Sequence, residues 1–427
     1  MELNFYEMHF EATEPPSLEG NTETCSFSLL CMTSNGDVFC SLNDKVYHIL
    51  WNRAEDDLDR RLCFTPGKDV RTHKDEIILL DALHTETGTI VAVVYYRNHG
   101  GQYTLSVFQL DVNTLKIKFK QEENLHKKPN LVRLSRDMYS SNISVFATYY
   151  SDPCVQVFQY NYNGFISKVE DIKVKERYPG LFKCMFRAPQ DKRTLSREEH
   201  VGPEKRHTHE YILCIDVFIE EDLQYLAYGT VDGNVHVQVS TNKCCVWQSV
   251  YDWEGPISAV KIFKIKGLVC LIATCMVEQV VLFSDINSNN KLSNRVILPE
   301  STRFDSVTCV NIMDIDYDGD PEILIGTYGR MFIVYKLQLS DGNLVPYIVY
   351  RRLYTSPVYG ICYSDITEDG IDEIVLLTFS GIHVLQRCLK SAQQYIQKLL
   401  DKSASGQVKC PLQGEHLSDN CASTPEY

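Results

Sequence analysis

The densest group of chemically capable side chains is the run Asp314-Ile-Asp316-Tyr-Asp318-Gly319-Asp320-Pro-Glu322. Asp314, Asp316, Asp318 and Glu322 stand at positions 1, 3, 5 and 9 of one short loop. Calcium takes about six to eight oxygen ligands, and carboxylates at alternate positions around a glycine bend can supply most of them. Strand-like residues flank the run, and the twelve-residue ligand spacing of an EF-hand is missing. A second copy, Asp365-Ile-Thr367-Glu-Asp369-Gly370-Ile-Asp372-Glu373, offers Asp365, Thr367, Asp369 and Glu373. Its neutral Thr367 predicts weaker cation binding. The stretch Asp216-Val-Phe218-Ile-Glu220-Glu221 reads as the equivalent of these loops, but with Phe218 at the third position and no glycine it is not a metal loop. Asp-Gly pairs also form turns without metal, their carboxylates accepting nearby backbone N–H groups. The spacing therefore supports two states, a structural calcium or a turn closed by its own hydrogen bonds. In both, the role is to pin a turn; catalysis would need an open coordination position and an acid or base.

No other constellation points to catalysis. There is no Gly-x-Ser-x-Gly elbow, no phosphate-cradling glycine loop with its lysine and no His-Glu-x-x-His. His207 and His209 are neighbours, but in a charged, polar stretch. The 16 cysteines are scattered, and Cys214, Cys270, Cys275 and Cys309 sit in apolar runs, where a reduced thiol behaves as a small hydrophobe. Neither a disulfide framework nor the pattern of a signal peptide is visible, so the reducing cytosol is expected. A net charge of -14 argues against nucleic acid, or an anionic membrane surface, as the main partner. No apolar stretch approaches the ~20 residues of a membrane helix, so direct membrane insertion is not expected.

Loops of this kind need strands to hold them. Strand-rich blocks recur at about 27–50, 77–110, 143–160, 212–239, 257–283, 307–337 and 358–385. Their starts lie roughly fifty residues apart, the spacing of a four-stranded blade. Three blocks share a strand, tight turn, strand phrase: Leu226 to Gly233, Ile323 to Gly329 and Ile374 to Gly381. Glycine suits such turns because it enters positive-φ conformations cheaply. Trp253-Glu-Gly-Pro256 before Ile257 and Tyr354-Thr-Ser-Pro357 before Val358 read as joins between blades. A β-sandwich pair is the alternative, and the near-regular period favours a seven-bladed β-propeller over residues 1–386. The charged stretch 183–209 is expected to be an exposed insertion, and 403–427 a disordered tail. Over 387–402, Leu389, Ala392, Ile396 and Leu399 recur at helical spacing and predict a C-terminal amphipathic helix, packed on the propeller or offered to a partner. Trp247, Trp253 and Tyr359 suit either a contact surface or inter-blade core, core being the expectation for at least two.

The carboxylate loops resemble FG-GAP repeats, the calcium-binding blade loops of integrin α propellers. Within that class the chain resembles the kaptin family. The resemblance rests on Asp252-Trp-Glu-Gly-Pro-Ile-Ser-Ala-Val-Lys-Ile-Phe263, on Phe304-Asp-Ser-Val307 with the Asp314 loop and Gly326-Thr-Tyr-Gly329, and on Asp365 to Gly370 through Gly381-Ile-His-Val-Leu-Gln386. It covers roughly 212–400; before that only the blade rhythm is shared. The resemblance implies a non-catalytic subunit of the KICSTOR complex at the lysosomal surface. Its implied partners are a second FG-GAP propeller, a large scaffold and a fourth subunit, together with the GATOR complex that activates GTP hydrolysis. It implies restraint of the TOR kinase complex when amino acids or glucose are scarce. The alternative it implies is association with F-actin in lamellipodia and stereocilia. No cofactor is required, and the one group the carboxylate loops could take is a structural calcium. An adhesion propeller like those of integrins is disfavoured by the missing signal peptide and membrane helix.

Overall fold

The computed structural model describes residues 5–12, 30–33, 36–42, 45–55, 57–65, 75–97, 101–111, 114, 116–136, 142–149, 152–161, 166–170, 173–174, 178, 211–241, 244–287, 291–340, 342–387 and 397. They form seven four-stranded antiparallel sheets arranged as the blades of a propeller. Blades 1 to 6 open with the inner strands Leu30–Met32, Glu76–Thr85, Pro129–Arg136, Ile212–Glu220, Ile257–Ile265 and Val307–Met313. Blade 7 joins Val358–Ser364, Glu373–Thr378 and Gly381–Arg387 to Phe5–Ala12, which pairs from Phe5↔Arg387 to Ala12↔Gly381 with a register shift between Glu7 and His9. Strands from near the two ends of the described chain thus close the ring in one sheet.

Position within a blade explains the composition of each strand. The second strand of blade 2, Gly88–Arg97, carries the run Thr-Ile-Val-Ala-Val-Val-Tyr and is buried on both faces, because neighbouring blades cover it on either side. The outer strand Lys116–Leu125 is mostly exposed and alternates charge with Ile117 and Phe119. Seven apolar clusters lie one at each blade junction, including Val38, Cys40 and Ile49 of blade 1 against Cys362, Val375 and Ile382 of blade 7. Each fully buried Leu, Ile, Val or Phe there stabilises the ring by about 1.5–3 kcal/mol. Trp247 and Trp253 are half-buried against the cluster between blades 4 and 5, so they serve the core.

Inner strands of blades 2 to 7 share one bulge, after Ile77, Pro129, Ile212, Ile257, Val307 and Val358. The extra residue bends the strand and in places reaches the next blade: Asn130 Nδ2 donates to the Ile212 carbonyl, and Thr308 Oγ1 to that of Val358. Gly229 and Gly326 sit opposite these starts. A Cβ at Gly229 would lie 2.3 Å from Ile257, and one at Gly326 2.7 Å from Val358. These two glycines serve close blade approach rather than a turn; the turn glycine of that phrase in blade 4 is Gly233, at φ +91.

Four residues beyond the bulge start, the inner strands place Asp81, Arg133, Asp216, Lys261, Asn311 and Cys362 at one level around the channel. Arg133 lies 3.4 Å from Asp81 and 3.5 Å from Asp216, and Lys261 lies 3.8 Å from Asp216. Asp81 also accepts the Leu134 N–H at 2.6 Å, and Asp216 the Ile262 N–H at 2.8 Å. Each carboxylate therefore ties its blade to the backbone of the next. From blade 6 onward the ties are neutral: Asn311 Nδ2 donates to the Ile361 carbonyl at 2.9 Å, and the Tyr363 N–H to Met32 Sδ at 3.3 Å.

The expected C-terminal helix from residue 387 is corrected. Arg387 ends the strand Gly381–Arg387, pairs with Phe5 and is 1% exposed, so the chain is still in the blade where the helix was to begin. The single helical element with defined ends among the described residues is the 3-10 turn Lys291–Ser293. Residues 388–402, apart from Gln397, the stretch 183–209 and the stretch 403–427 lie outside the described residues.

Candidate metal centre

Both carboxylate loops join the first strand of a blade to its second, in blades 6 and 7. They share the same turn bonds. Asp314 accepts the N–H groups of Asp318 (3.2 Å) and Gly319 (2.8 Å), while Asp365 accepts those of Asp369 (2.9 Å) and Gly370 (2.8 Å). Gly319 and Gly370 take φ +89 and +87, which glycine adopts without strain. Glu322 Oε2 accepts the Ile315 N–H, and Glu373 Oε2 those of Ile366 and Thr367. Glu322 and Glu373 are 0% exposed, because each begins the second strand and points back under its own loop. Burial pushes each carboxyl up to about 7; the charge of Asp316 adds to this at Glu322.

The geometry brings together Asp314, Asp316 and Glu322 in one loop, and Asp365, Asp369 and Glu373 in the other, each trio with oxygens within 4.8 Å of one another. Either cluster could chelate a metal ion. Asp318 stands outside the first trio and joins it through a lysine, and Thr367 Oγ1 lies against the second, donating to Glu373 at 3.0 Å. Asp216, aligned with these loops on sequence, lies elsewhere. Counted from the shared bulge it matches Asn311 in the channel, and Ile219 takes the place of Asp314.

Two residues outside the motifs complete the sites. Lys336 and Gln386 lie on the third strands, one place past the pairs Ile323↔Tyr335 and Ile374↔Leu385, and so opposite Glu322 and Glu373. The Lys336 ammonium is 2.5 Å from Asp316, 2.5 Å from Asp318 and 3.1 Å from Glu322. Burial disfavours its charge, but the hydrogen bonds it donates to Asp316 and Asp318 and the charge of Glu322 outweigh that and raise its pKa. Gln386 Nε2 donates to Asp369 at 3.1 Å and Glu373 at 3.2 Å. The loops are also clamped across blades. Tyr363 OH donates to the Asp314 carbonyl, the Asp372 N–H to Tyr317 OH, and Arg53 Nε to the Thr367 carbonyl.

The bonds described above all fasten one segment to another. The family model of the KICSTOR complex protein kaptin matches residues 184–397, which take in blades 4, 5 and 6, the blade-7 loop and the chain strands of blade 7. The chain belongs to the kaptin family. Kaptin of Mus musculus is 30% identical over 217 residues, which cover 46% of this chain and 50% of the mouse protein. The chain thus spans about half the length of the curated kaptin it matches. Among solved structures, a chain of the crystal structure of the mitotic checkpoint complex aligns with a TM-score of 0.54 at 10% identity, over 91% of this chain and 96% of that one. That likeness shows the propeller fold alone. For this kaptin-family chain, no described helix is long and apolar enough to cross a membrane.

Proposed function

We propose that this chain is a non-catalytic adaptor subunit of a KICSTOR-type complex. It helps recruit a GATOR GTPase-activating complex to the lysosome and so restrains the TOR kinase complex when amino acids or glucose are scarce. The observation that carries this reading is the match to the kaptin family over blades 4 to 7, the part of the ring that holds both carboxylate loops. The geometry supports it: the polar clusters tie blades together, and a stiff ring with fixed loops suits a docking element. Its partners are a second FG-GAP propeller, a large scaffold and a fourth subunit, and its place at the lysosome is peripheral, held by the complex. Asp314, Asp316, Asp318 and Glu322, and Asp365, Thr367, Asp369 and Glu373, act in this reading as structural pins of two blade turns.

Affinity purification of the tagged full chain from cells, with mass spectrometry at moderate salt, tests the proposal. Recovery of the second propeller, the scaffold and GATOR subunits is the expected result. Recovery of actin and its regulators with none of these overturns it in favour of an F-actin-associated role.

A further inference from the structure

We propose that Lys336 is the built-in cation of the blade-6 loop: its ammonium stands where a divalent metal would sit, and this loop holds its shape without calcium. The motif alone gives the opposite ranking, since the blade-6 loop has the complete set of acidic ligands and the blade-7 loop has Thr367 in place of one.

Three observations carry the inference. Lys336 is anchored in a strand rather than reaching in from solvent; its side chain is 17% exposed, and the carboxylates it meets at Asp316 and Glu322 are 8% and 0% exposed. Its nitrogen makes close contact with three of the four motif carboxylates at once, the placement a coordinated ion would need. Asp316 Oδ1 and Glu322 Oε1 are buried and accept no hydrogen bond, so the charge of the ammonium is what compensates them. A divalent ion among the same oxygens would face the ammonium at a few ångströms, and one of the two would have to leave.

Blade 7 supplies an internal control. Gln386 occupies the position of Lys336, opposite the buried glutamate, and satisfies the same two kinds of carboxylate with a neutral amide. The two blades thus present one loop architecture with and without a fixed positive charge. Exchanging that one residue should move blade 6 from self-neutralised to metal-binding.

The test is calcium binding to the full chain by equilibrium dialysis with radioactive calcium, in the unchanged protein, Asp316→Asn, Lys336→Gln and the double variant. Asp316→Asn should leave the calcium stoichiometry of the protein unchanged. Lys336→Gln should bind one more equivalent, and adding Asp316→Asn should remove it. Calcium bound by the unchanged protein and lost in Asp316→Asn would overturn the proposal, as would a folded Lys336→Gln that gains none. Should Lys336→Gln fold only with calcium present, the proposal stands. Should it fold under no condition, the comparison of the unchanged protein with Asp316→Asn decides alone.

Discussion

Blades 2 to 5 and blades 6, 7 and 1 are joined across the same seams by different means. In the first group the ties sit at the channel and are ionic, running Asp81, Arg133, Asp216, Lys261. In the second the channel ties are an amide and a thioether, and Arg53, Tyr363 and Arg387 reach across to carbonyls of the neighbouring carboxylate loops. Every seam must satisfy polar groups that blade packing removes from water, yet this can be done within the channel or at the loops. An ionic chain at the axis depends on all its members, since removing one leaves its partners charged in a poorly solvated place. A neutral tie loses only its own hydrogen bond.

The largest effect should follow from Arg133→Met, which leaves Asp81 and Asp216 without the cation between them. Because Arg133 keeps about a third of its side chain in contact with solvent, the expected loss is about 2–3 kcal/mol rather than the full cost of breaking a buried pair. Asn311→Ala, its counterpart in the neutral half, should cost only about 1 kcal/mol. Urea unfolding of the full-length variants measures both, and equal losses would break the comparison.

A smaller effect concerns pH. Burial raises the Asp81 carboxyl above its ordinary 3.8, against the pull of Arg133. The folded state thus holds this proton more tightly than the unfolded one, and the Asp81 contribution to stability falls as pH rises from 3.8 through the raised value. Asp81→Asn should remove that share of the fall, and Arg133→Met should enlarge it. Melting temperatures measured from pH 4 to neutrality would show a change of slope in both variants, and an unchanged slope in Asp81→Asn would sink the assignment.

The smallest effect is chemical. Burial raises the Cys362 thiol, and it pushes Cys63, Cys214 and Cys309 up to about 12 and Cys270 to about 11. All should stay protonated and unreactive at pH 8, whereas Cys244 and Cys245 are exposed. Iodoacetamide labelling read by mass spectrometry should modify the exposed pair before these five. Early labelling of Cys362 would show that the neutral half of the channel opens readily.

Much of the ring was legible as letters. The middle strands read as continuous apolar runs because two neighbours cover them, and all seven blocks correspond to blades. What escaped was set by pairing register, which spacing along one strand does not contain. Lys336 is an unremarked polar residue in an apolar strand until its hairpin register puts it opposite Glu322. Asp216 was matched to Asp314 by the look of its acidic neighbours, whereas the shared bulge moves it three places to the channel. Outer strands such as Lys116–Leu125 and Cys245–Asp252 lie beyond the apolar blocks because one face of each meets water. The inner strand Pro129–Arg136 mixes charge with leucine, and it too preceded the block read for its blade. The expected helix failed at its first residue, since Arg387 is an arginine whose strand pairing and burial the helical spacing beyond it does not reveal.

The strand Phe5–Ala12 has a consequence for how the protein is made. It is synthesised before the other strands of blade 7 yet can pair only with Gly381–Arg387, at the far end of the ring. At about 5–20 residues per second on the ribosome, tens of seconds separate the two. During that interval six blades can assemble as successive hairpins while Phe5–Ala12 is without the strand it pairs with. Synthesis therefore passes through a nearly complete ring with one sticky seam, and a lesion in blade 7 should lower the yield of folded protein before it lowers the melting temperature of the molecules that close.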